Sequence, residues 1–321
     1  MISISLCMIV KNEEKILARC LDSVSDLVEE IIIVDTGSTD RTKEIAAKYT
    51  DNIYDFEWID DFAAARNFSF QFATKDYIYV ADADEVIDEE NRKRFLQLKE
   101  VILPEIDIVQ MKYCNQLQHG TAYNFDEEYR PKLYKRQREF LWTEPVHEMV
   151  RLDPIIYDSE IEILHLPENN HSGRDFAVFQ KQIKKGVRLS KRLHHMYAME
   201  LFISGTEEDF LEAEEFFKAS ADDCERSLDE VKEAACVTAR AARIRDDSHT
   251  LLKMSLKDIA SEGSAEMCCE LGEYFLRHGD REEAKMWFLN AAHETPSILN
   301  IRCSGDIPLA RLAEIERGEG K

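Results

Sequence analysis

The sequence predicts an α/β domain with a mostly parallel, mixed sheet, followed by an all-α domain of helical repeats. Short apolar runs alternate with helical patterns over residues 1–115, which is typical of a parallel sheet covered by helices on both faces. From about Ser172 the chain is rich in Ala, Glu, Lys and Leu, and a helical periodicity continues to its end. We therefore predict two domains, at residues 1–170 and 171–321.

The first domain is predicted to open with four strands separated by helices. The strands are expected at Ile2–Val10, Glu30–Val34, Ile53–Phe56 and Asp76–Ala81, where apolar and β-branched residues cluster. Four helices are expected between and after these strands. The first follows residue 12, the second ends at about residue 49, and the others cover residues 61–73 and 86–98. Asn12 is the expected cap of the first helix, and Ser38 or Thr39 of the second.

Three later runs are predicted to extend the same sheet. They are Asp107–Cys114, Tyr129–Tyr134 and Glu160–His165, which are rich in aromatic and β-branched residues. We expect Trp142–Val150, between the last two, to form a loop or a short helix.

The C-terminal half carries the pattern of a helical repeat. In the segment 270–291, small and large residues alternate on two helices joined by a turn at Gly279, which resembles a tetratricopeptide repeat. A looser copy lies at Phe210–Ala219, and further helix pairs are expected at about 228–246 and 250–261. Residues 175–317 therefore predict a short solenoid.

The composition excludes several classes of protein. The formal net charge of −23 over 321 residues would repel nucleic acid and anionic membranes. No apolar run approaches the roughly 20 residues of a membrane span. The eight cysteines show no CxxC spacing and suit a reducing compartment, so we expect a cytoplasmic protein.

Polar clusters follow three of the predicted strands. They are Lys11–Glu13, Asp35–Asp40 and Asp82–Asp84. In open α/β sheets, ligands bind beyond the carboxyl ends of the strands, so the three clusters predict one site. GxGxxG, GxxxxGK[ST] and GxSxG motifs are absent from the sequence, which argues against a dinucleotide fold, a P-loop and a nucleophile elbow.

Asp82 and Asp84 predict a cation site. Alternate residues of an extended segment share a face, and two close carboxylates repel each other unless a cation lies between them. Mg²⁺ or Mn²⁺ binds carboxylate and diphosphate oxygens together. The alternative is that Asp84 only caps the helix over 86–98.

Three motifs together resemble family 2 glycosyltransferases, which have the GT-A fold. They are residues 6–14 (LCMIVKNEE), 33–40 (IVDTGSTD) and 80–85 (VADADE). A subgroup with Trp58–Asn67 (WIDDFAAARN) and Glu144–Glu148 (EPVHE) looks similar, often carries tetratricopeptide repeats, and includes transferases that modify peptides. The resemblance covers residues 1–170 strongly and the rest loosely.

The resemblance implies a role for each matching residue. It implies a nucleotide-sugar pocket lined by Val10, Asn12, Glu13, Asp35, Arg66, Asn67 and Asp82. Within that set, Asp35 would contact the base or ribose, and Arg66 and Asn67 the diphosphate side. Asp84 would be the direct ligand of Mn²⁺ or Mg²⁺, with Asp82 nearer the ribose or sugar. The alternative for Arg66 is a surface salt bridge to Asp60 or Asp61.

The general base has three candidates, which are Glu144, His147 and Glu148. An inverting transfer needs one base for the acceptor proton while a metal stabilises the leaving diphosphate. His147 can instead complete the metal site or hold the phosphate, and His165 is either another ligand or a core residue. Trp142 would stack on a sugar or merely pack. His194 and His195 are not expected to form a metal pair, because adjacent helical positions diverge.

These observations predict an inverting, metal-dependent hexosyltransferase. By the resemblance, the donor is UDP-glucose or UDP-N-acetylglucosamine and the acceptor a peptide, protein or glycan, linked through O, S or N. The solenoid would hold that acceptor or form a homodimer. The alternative is a non-catalytic interaction protein with a degenerate transferase domain. A nucleotidyltransferase is disfavoured, because residues 2–14 lack the Gly-rich loop of that class.

Overall fold

A computed structural model of the chain describes residues 1–115, 127–150, 153–167, 172–260 and 262–318. It divides into two compact units, Met1–His171 and Ser172–Lys321. The predicted boundary between residues 170 and 171 falls outside the described residues. Within the described ranges, none of the helices combines the length and the apolar character that crossing a membrane requires.

The first unit alternates strands and helices along the chain. Its strands are β1 (Ile4–Val10), β2 (Glu30–Asp35), β3 (Ile53–Asp55), β4 (Tyr77–Val80), β5 (Glu85–Val86), β6 (Ile108–Cys114), β7 (Glu128–Lys135), β8 (Trp142–Thr143), β9 (Met149–Val150) and β10 (Ile156–His165). Its helices are α1 (Leu17–Val24), α2 (Thr42–Ala46), α3 (Phe62–Phe70) and α4 (Glu89–Val101).

Among the described residues, eight of these strands form one mixed sheet. Their order is β3-β2-β1-β4-β7-β6-β10-β5, and β3, β2, β1 and β4 run parallel to one another. β7 is antiparallel to both β4 and β6, whereas β10 is parallel to β6. The prediction that the later strands extend the first sheet is therefore confirmed.

Helices cover both faces of this sheet. Leu6 and Met8 of β1 pack in one core cluster with Leu17 and Leu21 of α1. Cys7, which points to the other face, packs in a second cluster that includes residues of α3. Burial on both faces explains why the strands read as continuous apolar runs in the sequence.

The capping predictions at the strand ends are wrong. Asn12 does not cap α1, because that helix begins at Leu17 and has no side-chain cap. The Asn12 carboxamide oxygen instead accepts a hydrogen bond from Thr39 N at 2.8 Å. Ser38 and Thr39 do not cap α2 either, because that helix begins at Thr42. These side chains bond between neighbouring strand-end loops, which competes with capping their own helices.

Asp84 does not cap a helix, so the alternative proposed for it is also wrong. The residues after it form β5, and α4 begins at Glu89, later than the predicted start. Asp88 is the cap of α4, and its Oδ1 accepts from Asn91 N at 2.9 Å.

Trp142–Val150 is neither a plain loop nor a helix. Residues 142–143 and 149–150 pair as the antiparallel strands β8 and β9. Between them, Glu144 and His147 take positive φ angles of 73° and 47°, which non-glycine residues rarely adopt. Pro145 O accepts from Phe62 N at 2.9 Å and fastens this turn to the start of α3.

The second unit is helical, as predicted. Its helices are α5 (Ser172–Lys184), α6 (Lys191–Ser204), α7 (Glu207–Asp222), α8 (Leu228–Ile244), α9 (Ser248–Ile259), α10 (Ala265–Arg277), α11 (Arg281–His293) and α12 (Asp306–Arg317). The predicted repeat corresponds to α10 and α11, where a Cβ at Gly272 would lie 2.7 Å from the Phe288 ring. Close packing of the two helices therefore requires glycine there.

His194 and His195, which are not expected to form a metal pair, converge on one carboxylate. Both are on α6, and both ring Nδ1 atoms contact the Glu233 carboxylate of α8, at 3.0 and 2.7 Å. A carboxylate has two oxygens, so one side chain on a facing helix can accept from two neighbouring imidazoles. The pair is held by Glu233.

Candidate active site

The loops after β1 and β2 are tied to each other. Asn12 N donates to Ser38 Oγ at 2.9 Å, and Glu13 N donates to Thr42 Oγ1 at 2.7 Å. Val10 O, at the end of β1, accepts from Thr36 N at 3.0 Å. These bonds form one wall of the site, in which Val10, Asn12 and Glu13 are brought together with the segment that follows Asp35.

Asp35 ends β2 and is only 2% exposed. Its Oδ1 accepts from Gly37 N at 3.0 Å and Ser38 N at 2.9 Å, a turn that Gly37 closes with a φ of 99°. Its Oδ2 is buried and has no hydrogen-bond partner in the part of the chain that the structure describes. A buried acceptor without a donor is costly, which suggests that a ligand supplies one.

Arg66, on α3, links two carboxylates that are distant in sequence. Its Nη2 lies 3.1 Å from Asp82 Oδ1, and its Nε donates to Glu148 Oε1. The alternative pairing with Asp60 or Asp61 is wrong. Asp61 caps α3 by accepting from Ala64 N, and Asp60 accepts from the Trp58 indole.

Asp82 is held as an anion. Burial raises the pKa of its carboxyl, but the charges of Arg66 and Lys132 and the hydrogen bond from Arg66 outweigh this and hold the pKa well below its ordinary value. Its side chain is nevertheless 43% exposed. It therefore presents an ionised carboxylate to solvent or to a ligand.

Asp84 lies beside the end of β10. Its Oδ2 is 3.2 Å from His165 Nε2, and its backbone O accepts from Leu166 N at 2.9 Å. The contact arises because β5 pairs antiparallel with β10, with Glu85 opposite His165. A carboxylate oxygen and an imidazole nitrogen at this separation can ligate one divalent cation.

The Asn67 side chain binds the backbone of Trp142 through two hydrogen bonds. It donates to Trp142 O at 3.0 Å and accepts from Trp142 N at 2.8 Å. Trp142 is 8% exposed and packs against Phe70, with the Arg66 guanidinium 5.2 Å from its ring centre. The predicted diphosphate-lining Asn67 therefore makes its described contacts with the β8 backbone, and Trp142 packs as a core residue.

The three candidate bases lie on the β8–β9 turn. Glu148 is the candidate that a described contact ties to Asp82, through Arg66. Its Oε2 has no hydrogen-bond partner among the described residues. Glu144 and His147 are half-buried and have strained backbones, a feature that occurs often at functional sites.

Further charged residues near Asp82 and Asp84 were not predicted from the sequence. Lys132 and Glu85 form a buried ion pair, and burial raises the pKa of Glu85 against the opposing charge of Lys132. Arg130 lies 3.9 Å over the Tyr113 ring. The alternation of Arg130 and Lys132 in a strand is a signal that two cations share one face.

The arrangement defines a class of protein: an α/β domain with acidic side chains at the carboxyl ends of its parallel strands. Residues 5–151 match the family described as Glycosyl transferase family 2. These residues therefore carry a family 2 glycosyltransferase domain, which confirms the family resemblance seen in the motifs. The predicted fold class, an α/β GT-A-like domain followed by an all-α region, is confirmed as well.

Curated relatives match parts of the chain. A TPR repeat-containing protein of Synechococcus elongatus is 52% identical over 85 residues, 26% of this chain and 21% of its own length. Glycosyltransferase SunS of Bacillus phage SPbeta is 36% identical over 117 residues, 36% of this chain and 28% of its own length. The chain thus spans less than a third of these relatives. The name of the first gives a hint of tetratricopeptide repeats.

A solved structure is also similar to part of the chain. Glucosyl-3-phosphoglycerate synthase from Mycobacterium tuberculosis, crystallised with Mg²⁺ and UDP, is 17% identical and has a TM-score of 0.42. The similarity covers 59% of this chain and 81% of that protein.

Proposed function

We propose that this protein transfers a sugar, with inversion, from a nucleotide diphosphate sugar to a peptide, protein or glycan acceptor. The observation that carries the proposal is that Asp35 ends β2 and that Asp82 and Asp84 follow β4, in a family 2 domain where both strands pair in parallel with β1. The resemblance stated above favours UDP-glucose or UDP-N-acetylglucosamine as donor.

The side chains fit a divalent cation. Asp84 and His165 would hold it directly, with Asp82 close by, and oxygen with nitrogen donors suit Mn²⁺ or Mg²⁺. When bound, such a cation supplies positive charge to the leaving diphosphate. We assign the direct role to His165, which lies at the end of β10, and propose no metal contact for His147.

Asp35 fits the nucleoside. Its buried Oδ2 lacks a donor among the described residues, and a uracil N–H or a ribose hydroxyl would supply one. The backbone amides of Gly37 and Ser38 hold the other oxygen, so the carboxylate is oriented before the nucleoside arrives. Such preorganisation lowers the entropy lost on binding.

We propose Glu148 as the general base. Arg66 fixes its Oε1, and Oε2 is left to accept the proton of the acceptor. Arg66 also bonds Asp82, so the base and the metal-side carboxylate are positioned by one guanidinium. Comparing Glu148→Gln with Glu144→Gln in a transfer assay assigns the base, since the larger loss of rate marks it.

The helical unit would present the acceptor. Stacked helix pairs of this kind commonly form binding surfaces for peptides. Within the described part of the chain the cysteines form no disulfide, which supports a reducing compartment such as the cytoplasm.

Titration calorimetry tests the proposal with UDP, GDP and their sugars, with and without Mn²⁺. We expect wild-type protein to bind UDP only with Mn²⁺, and Asp84→Asn to lose at least about tenfold in affinity. Asp88→Asn is the matched control, because Asn caps α4 as well as Asp does. Absence of nucleotide binding in the wild type would contradict the proposal and favour the interaction protein with a degenerate domain.

A further inference from the structure

A second buried ion pair adjoins the candidate metal site. Lys132 of β7 is 5% exposed and Glu85 of β5 is 2% exposed, and Lys132 Nζ donates to Glu85 Oε1. Glu85 Oε2 is buried and has no hydrogen-bond partner among the residues that the structure describes. A buried pair with incomplete hydrogen bonding contributes little net stability, so stability alone explains its presence poorly.

The pair is connected to the carboxylates of the site. Glu85 follows Asp84 directly in the chain. Lys132 Nζ lies 5.1 Å from the centre of the Tyr113 ring, and that ring lies 5.1 Å from the ring of His165, the partner of Asp84. Lys132 therefore places a fixed positive charge behind the segment that would bind the cation.

We propose that Lys132 is a positioning residue that makes the divalent cation and the donor diphosphate bind together rather than separately. The inference rests on the function proposed above. A fixed positive charge behind Asp82 and Asp84 opposes a cation that arrives alone, and it attracts the diphosphate that the cation accompanies. Glu85 holds the Lys132 ammonium in place and keeps it from pairing with Asp84.

Lys132→Met tests this role because it removes the charge and keeps most of the volume. We expect Mn²⁺ alone to bind on the order of tenfold more tightly to this variant, since a unit charge near a divalent ion has an effect of that order. The factor by which Mn²⁺ improves UDP affinity should fall by a similar amount. Distortion of the site would weaken Mn²⁺ binding, so the direction of the change separates charge from structure.

Glu85→Gln changes the charge in the opposite direction. It keeps Lys132 and removes the neutralising carboxylate, so Mn²⁺ alone should bind on the order of tenfold more weakly. The variant Lys132→Met/Glu85→Gln removes both charges and should return the Mn²⁺ affinity toward that of the wild type.

Lys99→Met is the matched control. Lys99 is 3% exposed and donates to Glu29 Oε1 at 2.8 Å, at the amino-terminal side of β2. Its replacement also removes a paired, buried cation from the first unit, and we expect it to lower the melting temperature without changing Mn²⁺ or UDP affinity.

The experiment is titration calorimetry of the full chain with Mn²⁺ alone, UDP alone and UDP with Mn²⁺, together with melting temperatures. Tighter Mn²⁺ binding and reduced coupling in Lys132→Met support the inference. Weaker or unchanged Mn²⁺ binding in that variant, with wild-type UDP binding still dependent on Mn²⁺, overturns the inference alone. A wild type that does not bind UDP with Mn²⁺ overturns the proposed function first.

Discussion

Replacing Arg66 tests how the carboxylates of the site are held together. Its side chain is 11% exposed and that of Glu148 is 12% exposed, whereas Asp82 is 43% exposed. Arg66→Met keeps the apolar stem, loses the guanidinium and leaves Glu148 buried without its partner. Breaking a buried pair costs about 3–5 kcal/mol. Because water screens Asp82, we take the lower end, about 3 kcal/mol.

This free energy corresponds to a measurable change in melting temperature. One kcal/mol shifts the midpoint by about 2–4 °C in a domain of about 150–250 residues, so we expect a decrease of about 6–12 °C. The assay is differential scanning calorimetry of the full chain, following the transition of the first unit.

Arg41→Met is the matched control. Arg41 pairs with Glu14 at 3.2 Å, but the two side chains are 73% and 32% exposed, so the pair contributes about 0–1 kcal/mol. A decrease for Arg66→Met no larger than that for Arg41→Met would refute the view that Arg66 organises the site.

Three further predictions concern catalysis, packing and pH. Glu148→Gln should slow sugar transfer by a factor of about 10²–10⁴, because a general base acts on the chemical step. UDP affinity in a binding assay should change little, and an equal loss of UDP affinity would contradict the assignment. Gly272→Ala should destabilise the second unit by about 1–3 kcal/mol in urea unfolding, because its Cβ would clash with Phe288; an unchanged midpoint would contradict it. The hydrogen bond to Glu233 raises the pKa of His195 above 6.5, against the lowering effect of burial, so the free energy of unfolding should fall as pH rises above 6.5. His195→Gln should flatten that slope, and an identical slope in both proteins would contradict the assignment.

The main strands and the candidate site could be predicted because their signals are local. Buried parallel strands appear as continuous apolar runs, and the residues after them lie at one edge of the sheet. Asp35, Asp82 and Asp84 were predicted as site residues in this way, and a pattern of small residues predicted the helix pair α10 and α11. Strand and helix boundaries shifted by a few residues, since local patterns do not fix them.

The contacts that organise the site could not be predicted, because they join residues far apart in the chain. Asn12 accepts a hydrogen bond from Thr39, 27 positions away, and this bond takes the place of a helix cap. Lys132 meets Glu85 across 47 positions, and His165 meets Asp84 across 81. Such pairs depend on the order of strands in the sheet, and tertiary contacts override local preferences.

We propose that one cation and one nucleotide bind at the carboxyl ends of β1, β2 and β4. Anomalous diffraction from crystals of the full chain soaked with Mn²⁺ and UDP tests this binding site directly. We expect a manganese peak within coordination distance of Asp84 Oδ2 and His165 Nε2, with the nucleoside beside Asp35. A manganese peak away from Asp84, or UDP bound elsewhere on the chain, would contradict it.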